Sequence, residues 1–108
     1  MKLDALITEC TAYDFKVMLE EKKPKSWLKS VIAFANGLGG SLFLGIDNDG
    51  IIKGLDDVQH VCETISIRIR DYMDPLPEVA LEMGSVLHLS ELVMKVFLLR
   101  QNRWFAWY

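Results

Sequence analysis

Seventeen residues constrain this chain more than any others: Phe34-Ala35-Asn36-Gly37-Leu38-Gly39-Gly40-Ser41-Leu42-Phe43-Leu44-Gly45-Ile46-Asp47-Asn48-Asp49-Gly50. Glycines at 37, 39 and 40 follow a run of helical period and precede a short apolar run. Such an order reads as helix end, loop, strand and turn. Ser41 to Ile46 is almost continuously apolar, as expected of a strand covered on both faces. Asn48-Asp49-Gly50 is a hairpin signal, because these residues tolerate positive φ. The glycines allow a close approach of backbone to a neighbour or a ligand.

The flanking segments fit around this unit. Tyr13, Phe15 and Val17 alternate with Asp14 and Lys16, the period of a strand. Glu20 to Lys25 is a charged loop broken by Pro24. Ser26 is the expected N-cap of a helix over about 26–36, with Leu28, Val31, Ile32 and Ala35 as its buried stripe and Gly37 at its C-cap. Ile51 to Leu55 is the expected returning strand, ended by Gly54. Asp56 or Asp57 caps a second helix with the stripe Val58, Val61, Cys62, Ile65, Ile69 and Tyr72. Ile67 falls off that stripe. Pro75 and Pro77 stop this helix by about Met73. Strands are expected over 79–83 and, after a turn at Gly84-Ser85, over 86–99 with a break in the middle. The resulting order is β-α-β-β-α-β-β: an α+β (mixed α/β) fold with two helices packed on a mostly antiparallel sheet. The last five residues hold four aromatics (Trp104, Phe105, Trp107 and Tyr108), which pack on the sheet, meet a partner or mark an aberrant end.

At 108 residues the chain is expected to form a single domain, 1–108. Its hydrophobic fraction of 51% is that of a globular protein, which argues against wholesale disorder. With a net charge of -3 there is no global positive field to draw in a polyanion, so any such site must be a local patch. Cys10 and Cys62 are far apart and only His60 and His88 could join them, so no metal site is expected, and reduced thiols suit a cytoplasmic protein. The N-terminus lacks the apolar core of a signal peptide and no run is long enough to span a bilayer, so no membrane partner is expected.

Three groups could carry chemistry. Lys16, Lys22, Lys23, Lys25 and Lys29 place five lysines in fourteen residues, a patch able to attract phosphate backbones. A solvated loop explains the same run without function. Trp27 beside it either stacks on a base or anchors the helix to the core. The loop Asn36, Gly37, Gly39 and Gly40 offers backbone amides to a phosphate. Yet it follows a helix and enters a strand, the reverse of the nucleotide-binding motifs, and a structural turn is the simpler reading. Glu9, Asp14, Asp47 and Asp49 could converge to hold Mg²⁺ or Mn²⁺, although Asp49 is equally a turn residue and Glu9 a surface charge.

Taken together, Asp14-Phe15-Lys16, Ala33-Phe34-Ala35-Asn36, Gly39-Gly40, Leu44-Gly45-Ile46-Asp47-Asn48-Asp49-Gly50 and Ile52-Lys53-Gly54-Leu55 resemble the Schlafen AlbA domain family. Asp74-Pro75-Leu76-Pro77 also fits, and the resemblance is strongest over 9–85, with 86–108 atypical. It implies a small Alba-like domain, found in bacteria and archaea in the N-terminal part of transcriptional regulators labelled DNA-binding or ATP-binding. Animal members include RNA endonucleases that use a trio of acids. Carried over, the trio is Glu9, Asp14 and Asp47 (or Asp49), with Mg²⁺ or Mn²⁺ as cofactor if the chain is a nuclease and no cofactor otherwise. Asp14 stands where the family carries Glu.

The leading expectation is a nucleic-acid-binding domain of a transcriptional regulator, with DNA or RNA as partner and the five lysines on phosphates. In that reading the chain is one part of a larger multidomain regulator or a homodimer; the alternatives are a metal-dependent endoribonuclease, and a protein-interaction or dimerisation module using Ile67 and the aromatic tail.

Overall fold

In the computed structural model, which describes residues 12–85, 92–99, 101 and 103–107, strand β1 (Tyr13–Lys16) runs parallel to β2 (Gly39–Leu44). Helix α1 (Lys25–Asn36) makes the crossover between them, since parallel neighbours cannot be joined by a tight turn. Helix α2 (Val58–Tyr72), β3 (Met73–Asp74), β4 (Ala80–Ser85), β5 (Leu92–Leu99) and β6 (Ala106–Trp107) follow. The sheet order is β1-β2-β5-β4, and the β2–β5 and β5–β4 pairings are antiparallel. β3 and β6 form a separate antiparallel ribbon. Among the described residues this is the expected α+β domain: two helices and a four-stranded mixed sheet.

Both helices cover one sheet face. Trp27, Leu28, Val31, Ile32 and Ala35 of α1 and Val58, Ile65 and Ile69 of α2 pack on Leu42, Leu44, Met94, Val96 and Leu98. Alternation puts Phe43 and Val93 on the opposite face, where they cluster with Ile46, Phe15 and Ile52. β2 is thus buried on both sides, and its uninterrupted apolar run follows from that.

Several boundaries differ from expectation, each for a local reason. α1 begins at Lys25, with Pro24 as its cap residue at φ −61° and no side-chain cap. Proline is already set for the helix, and its carbonyl accepts the Leu28 N–H at 2.9 Å, so Ser26 falls inside the first turn. Ile51 to Leu55 is not a strand. An isolated bridge joins Ile46 to Ile52, and the N–H groups of Lys53 and Gly54 both turn to the Gly45 carbonyl, at 2.7 and 2.9 Å, instead of forming a ladder. Gly84 and Ser85 are not a turn but continue β4, opposite Val93 and Leu92. Residues 86–91, where a broken strand was expected, lie outside the described residues. Asp57 caps α2 as expected, accepting the His60 N–H at 3.1 Å.

The aromatic end is partly core. Phe105 is 1% exposed and belongs to the main cluster. Ala106 and Trp107 pair with Asp74 and Met73. Among the described residues, no helix is long and apolar enough to cross a membrane.

Candidate nucleic-acid interface

Two structures carry the lysines. Lys25 and Lys29 stand one turn apart on a line of α1 that flanks its buried stripe, and both are exposed. Lys22 and Lys23 lie in the loop leading into the helix and are exposed as well. Lys22, Lys23 and Lys29 make no ion pair with another described residue. Lys16 is set apart: it is half-buried on the helix side of β1, with its Nζ 3.8 Å from Asp14.

The loop lysines are not in an all-positive setting. They line an open groove with Glu20, Glu21, Asp56, Asp57 and His60. Its four carboxylates offset Lys22 and Lys23. The loop is also tied to α2, because Glu21 is bonded to the His60 ring and accepts the Thr64 hydroxyl at 3.3 Å. This tether places Lys22 and Lys23 beside the N-terminal turns of α2.

The glycine loop is used internally. A Cβ at Gly40 would lie 2.6 Å from Cδ1 of Phe34 and 3.0 Å from the Ala12 carbonyl oxygen. Gly37 sits at φ −103° and a Cβ there would come 3.0 Å from the Ala33 carbonyl. The close approach is therefore to the protein's own helix. Asn36 clamps the C-terminal segment: its Nδ2 donates to the Phe105 carbonyl at 2.9 Å and its Oδ1 accepts the Phe105 N–H at 2.7 Å.

The acids are held by different partners. Asp14 accepts the Ser30 hydroxyl at 2.7 Å and the Phe15 N–H at 2.9 Å, locking β1 to α1. Asp47 accepts the N–H groups of Asp49 and Ile51, both at 2.9 Å, and thereby shapes the turn. Asp49 is an exposed residue of that turn. Asp14 pairs with Leu42, whereas Asp47 follows Ile46, whose N–H meets the Lys16 carbonyl. Leu42 and Asp47 are five residues apart in the chain, so Asp14 and Asp47 stand at different points along the strand pair. Glu9 lies outside the described residues. No three His, Cys, Asp or Glu side chains gather to hold a metal among the described residues. Because Asp47 serves two backbone donors, Asp47→Ala should lower stability by about 1 kcal/mol in thermal denaturation; an unchanged melting temperature would remove this turn-shaping role.

Trp27 does not stack on a ligand. It is 1% exposed and wedged in the core, so its place in a base-binding surface is excluded by burial. Cys62 is a free thiol that donates to the Met94 sulfur at 3.8 Å, and burial, reinforced by the neighbouring Glu63 carboxylate, pushes its pKa up. A raised pKa keeps the thiol protonated and a poor nucleophile. Ile67 is 44% exposed, beside exposed Leu76. The clamp role of Asn36 was not legible in the sequence; of the two readings of Trp27 the structure bears out the core anchor, while Trp104 of the aromatic tail is 75% exposed.

A small α+β domain with lysines along an exposed line of its crossover helix is the class that fold and surface define. The profile of the Schlafen AlbA_2 family matches residues 9–98, and the chain belongs to that family. Among solved structures, it is similar to the N-terminal domain of a RecG-related protein from Nitrosomonas europaea, at 22% identity over 93% of this chain and 71% of that one, with a TM-score of 0.67. It is also similar to the DIP2311 protein from Corynebacterium diphtheriae, at 20% identity over 86% of this chain and a TM-score of 0.58. The chain spans 18% of that protein. These likenesses show the fold. No curated protein matches the chain.

Proposed function

We propose that the chain is a nucleic-acid-binding module of a transcriptional regulator that holds the phosphate backbone through Lys22, Lys23, Lys25 and Lys29. The observation that supports this reading is the exposed line of α1 that carries Lys25 and Lys29, with Lys22 and Lys23 at the helix entrance. The net charge of -3 makes this a local attraction, not a global one. The RecG-related relative supports it, since that protein's name links it to an ATP-dependent DNA helicase. Contacts of this kind give affinity and orientation but carry no base readout. Asp14 and Asp47 take no part in the reading, because their carboxylates already serve Ser30 and the turn.

The test is anisotropy titration of labelled DNA and RNA across a salt series. The chain should bind at low salt and weaken linearly in log–log form. Lys25→Ala/Lys29→Ala should lower affinity for every sequence about equally and reduce the salt slope by about two on duplex. No binding by the unmodified chain at ~50 mM salt would end the reading. Shortening of the RNA with Mn²⁺, lost in Asp14→Asn, would replace it with the endoribonuclease.

A further inference from the structure

We propose that the groove between the C-terminal half of α1 and residues 103–106 binds single-stranded nucleic acid, with a base stacked on Trp104 and the flanking phosphates on Lys29 and Arg103. It rests on the nucleic-acid reading above and adds the form of the ligand and the residue that grips it. Ile32, Ala33, Asn36 and Gly37 form one wall of the groove, and Trp104, Phe105 and Ala106 the other. Trp104 is 75% exposed, an unusual position for so large an apolar side chain.

The backbone that carries Trp104 is pinned. Its neighbour Phe105 is buried in the core, and both polar groups of the Phe105 backbone are bonded to Asn36. On the other side Ala106 and Trp107 pair with β3. The indole is thus presented from a fixed point and costs little ordering entropy when a flat partner lands on it. Every base has a π-face, so stacking tolerates any sequence, and cations beside the aromatic platform then hold the backbone.

Charge selects this occupant over an apolar peptide. Among the described residues, no acid lines the groove. Lys29 stands one turn before Ala33 on the exposed side of α1, a rise of about 6 Å, and exposed Arg103 adjoins Trp104. Asp74 lies across the ribbon from Ala106 and is itself partnered. The loop groove is different, since four carboxylates share it with Lys22 and Lys23. A duplex keeps its bases stacked on one another and has no free face to offer the indole. Trp104 also lies beyond the residues matched by the family profile, which end at 98.

The experiment titrates the 108-residue chain with oligo(dT) and oligo(U) about a dozen nucleotides long, within the usual site size, and with a duplex of equal length. Binding is followed by anisotropy and by tryptophan emission. Single strands should quench emission, and Trp104→Ala should weaken their binding about tenfold while leaving duplex binding and the melting temperature unchanged. Trp104→Phe should keep most of the affinity and lose the part of the quench that the Trp104 indole contributes, to which buried Trp27 adds nothing. Lys29→Ala should reduce the salt slope of single-strand binding. If Trp104→Ala binds single strands as the unmodified chain does, the platform is wrong and the lysine reading stands. If the unmodified chain binds no nucleic acid, both fall. A concentration-dependent dimer abolished by Trp104→Ala, with nucleic-acid binding intact, would reassign the groove to a second copy and overturn the proposal.

Discussion

Gly40→Ala should destabilise the protein by about 2 kcal/mol and lower its melting temperature by roughly 10 °C. The added Cβ would lie 2.6 and 2.7 Å from Cδ1 and Cγ of Phe34, well inside contact distance. It would also come 3.0 Å from the Ala12 carbonyl oxygen, which is occupied by a 3.0 Å hydrogen bond from the Ser41 N–H. A ring can swing aside, but a carbonyl fixed in the β1–β2 junction cannot move without breaking the pairing. Gly40 itself is buried in β2, between β1 and β5, so the whole strand has nowhere to shift. Phe34→Ala in the same chain should return part of the loss, a coupling that marks a shared contact. Gly39 provides the contrast. Its φ of 93° makes Gly39→Ala a matter of backbone strain, which Phe34→Ala should not relieve. Melting of Gly40→Ala within 2 °C of the unmodified protein would show that the helix–strand junction is looser than its geometry.

The parts legible in sequence are those set by local periodicity. Leu28, Val31, Ile32 and Ala35 mark one side of α1 because burial selects every third or fourth residue. The continuous run from Ser41 to Leu44 marks β2 because both of its faces are covered. Asp57 and the turn at Asp47 are short-range hydrogen-bonding devices, readable from residue type and spacing. What escaped is what tertiary partners decide. Asn36 looked like a loop residue, and its partner Phe105 lies 69 residues away. The lysine run was plain, but the Asp56 and Asp57 carboxylates that share its groove arrive from another element. Trp27 and Trp104 have the same chemistry, and only packing sends one inward and the other outward. Ile51 to Leu55 has the residue types of a strand, yet the Gly45 carbonyl collects its donors before a ladder can form.

Phe105→Ala should be the most damaging substitution near the candidate interface, at about 4 kcal/mol. Its ring is 1% exposed within the main core cluster, which also contains Ile32 and Ala35 of α1 and Met73 of β3. A loss of that size is a large share of the 5–15 kcal/mol that holds a typical domain together, so partial unfolding at room temperature is the expected result. Asn36→Ala attacks the same segment from outside. It leaves the Phe105 N–H and carbonyl without their side-chain partners and should cost about 1–3 kcal/mol. The two changes share one consequence, release of residues 104–107, so the double variant should lose less than the sum. Trp104→Ala should change stability by less than about 0.5 kcal/mol, because its side chain faces solvent. Two adjacent aromatics then separate cleanly: Phe105 holds the strand in place, and Trp104 is what the strand displays. Urea denaturation of the three variants checks this ordering. If Phe105→Ala proves as stable as Trp104→Ala, the C-terminal strand is not anchored by the core, and the indole loses the fixed support that a stacking platform requires.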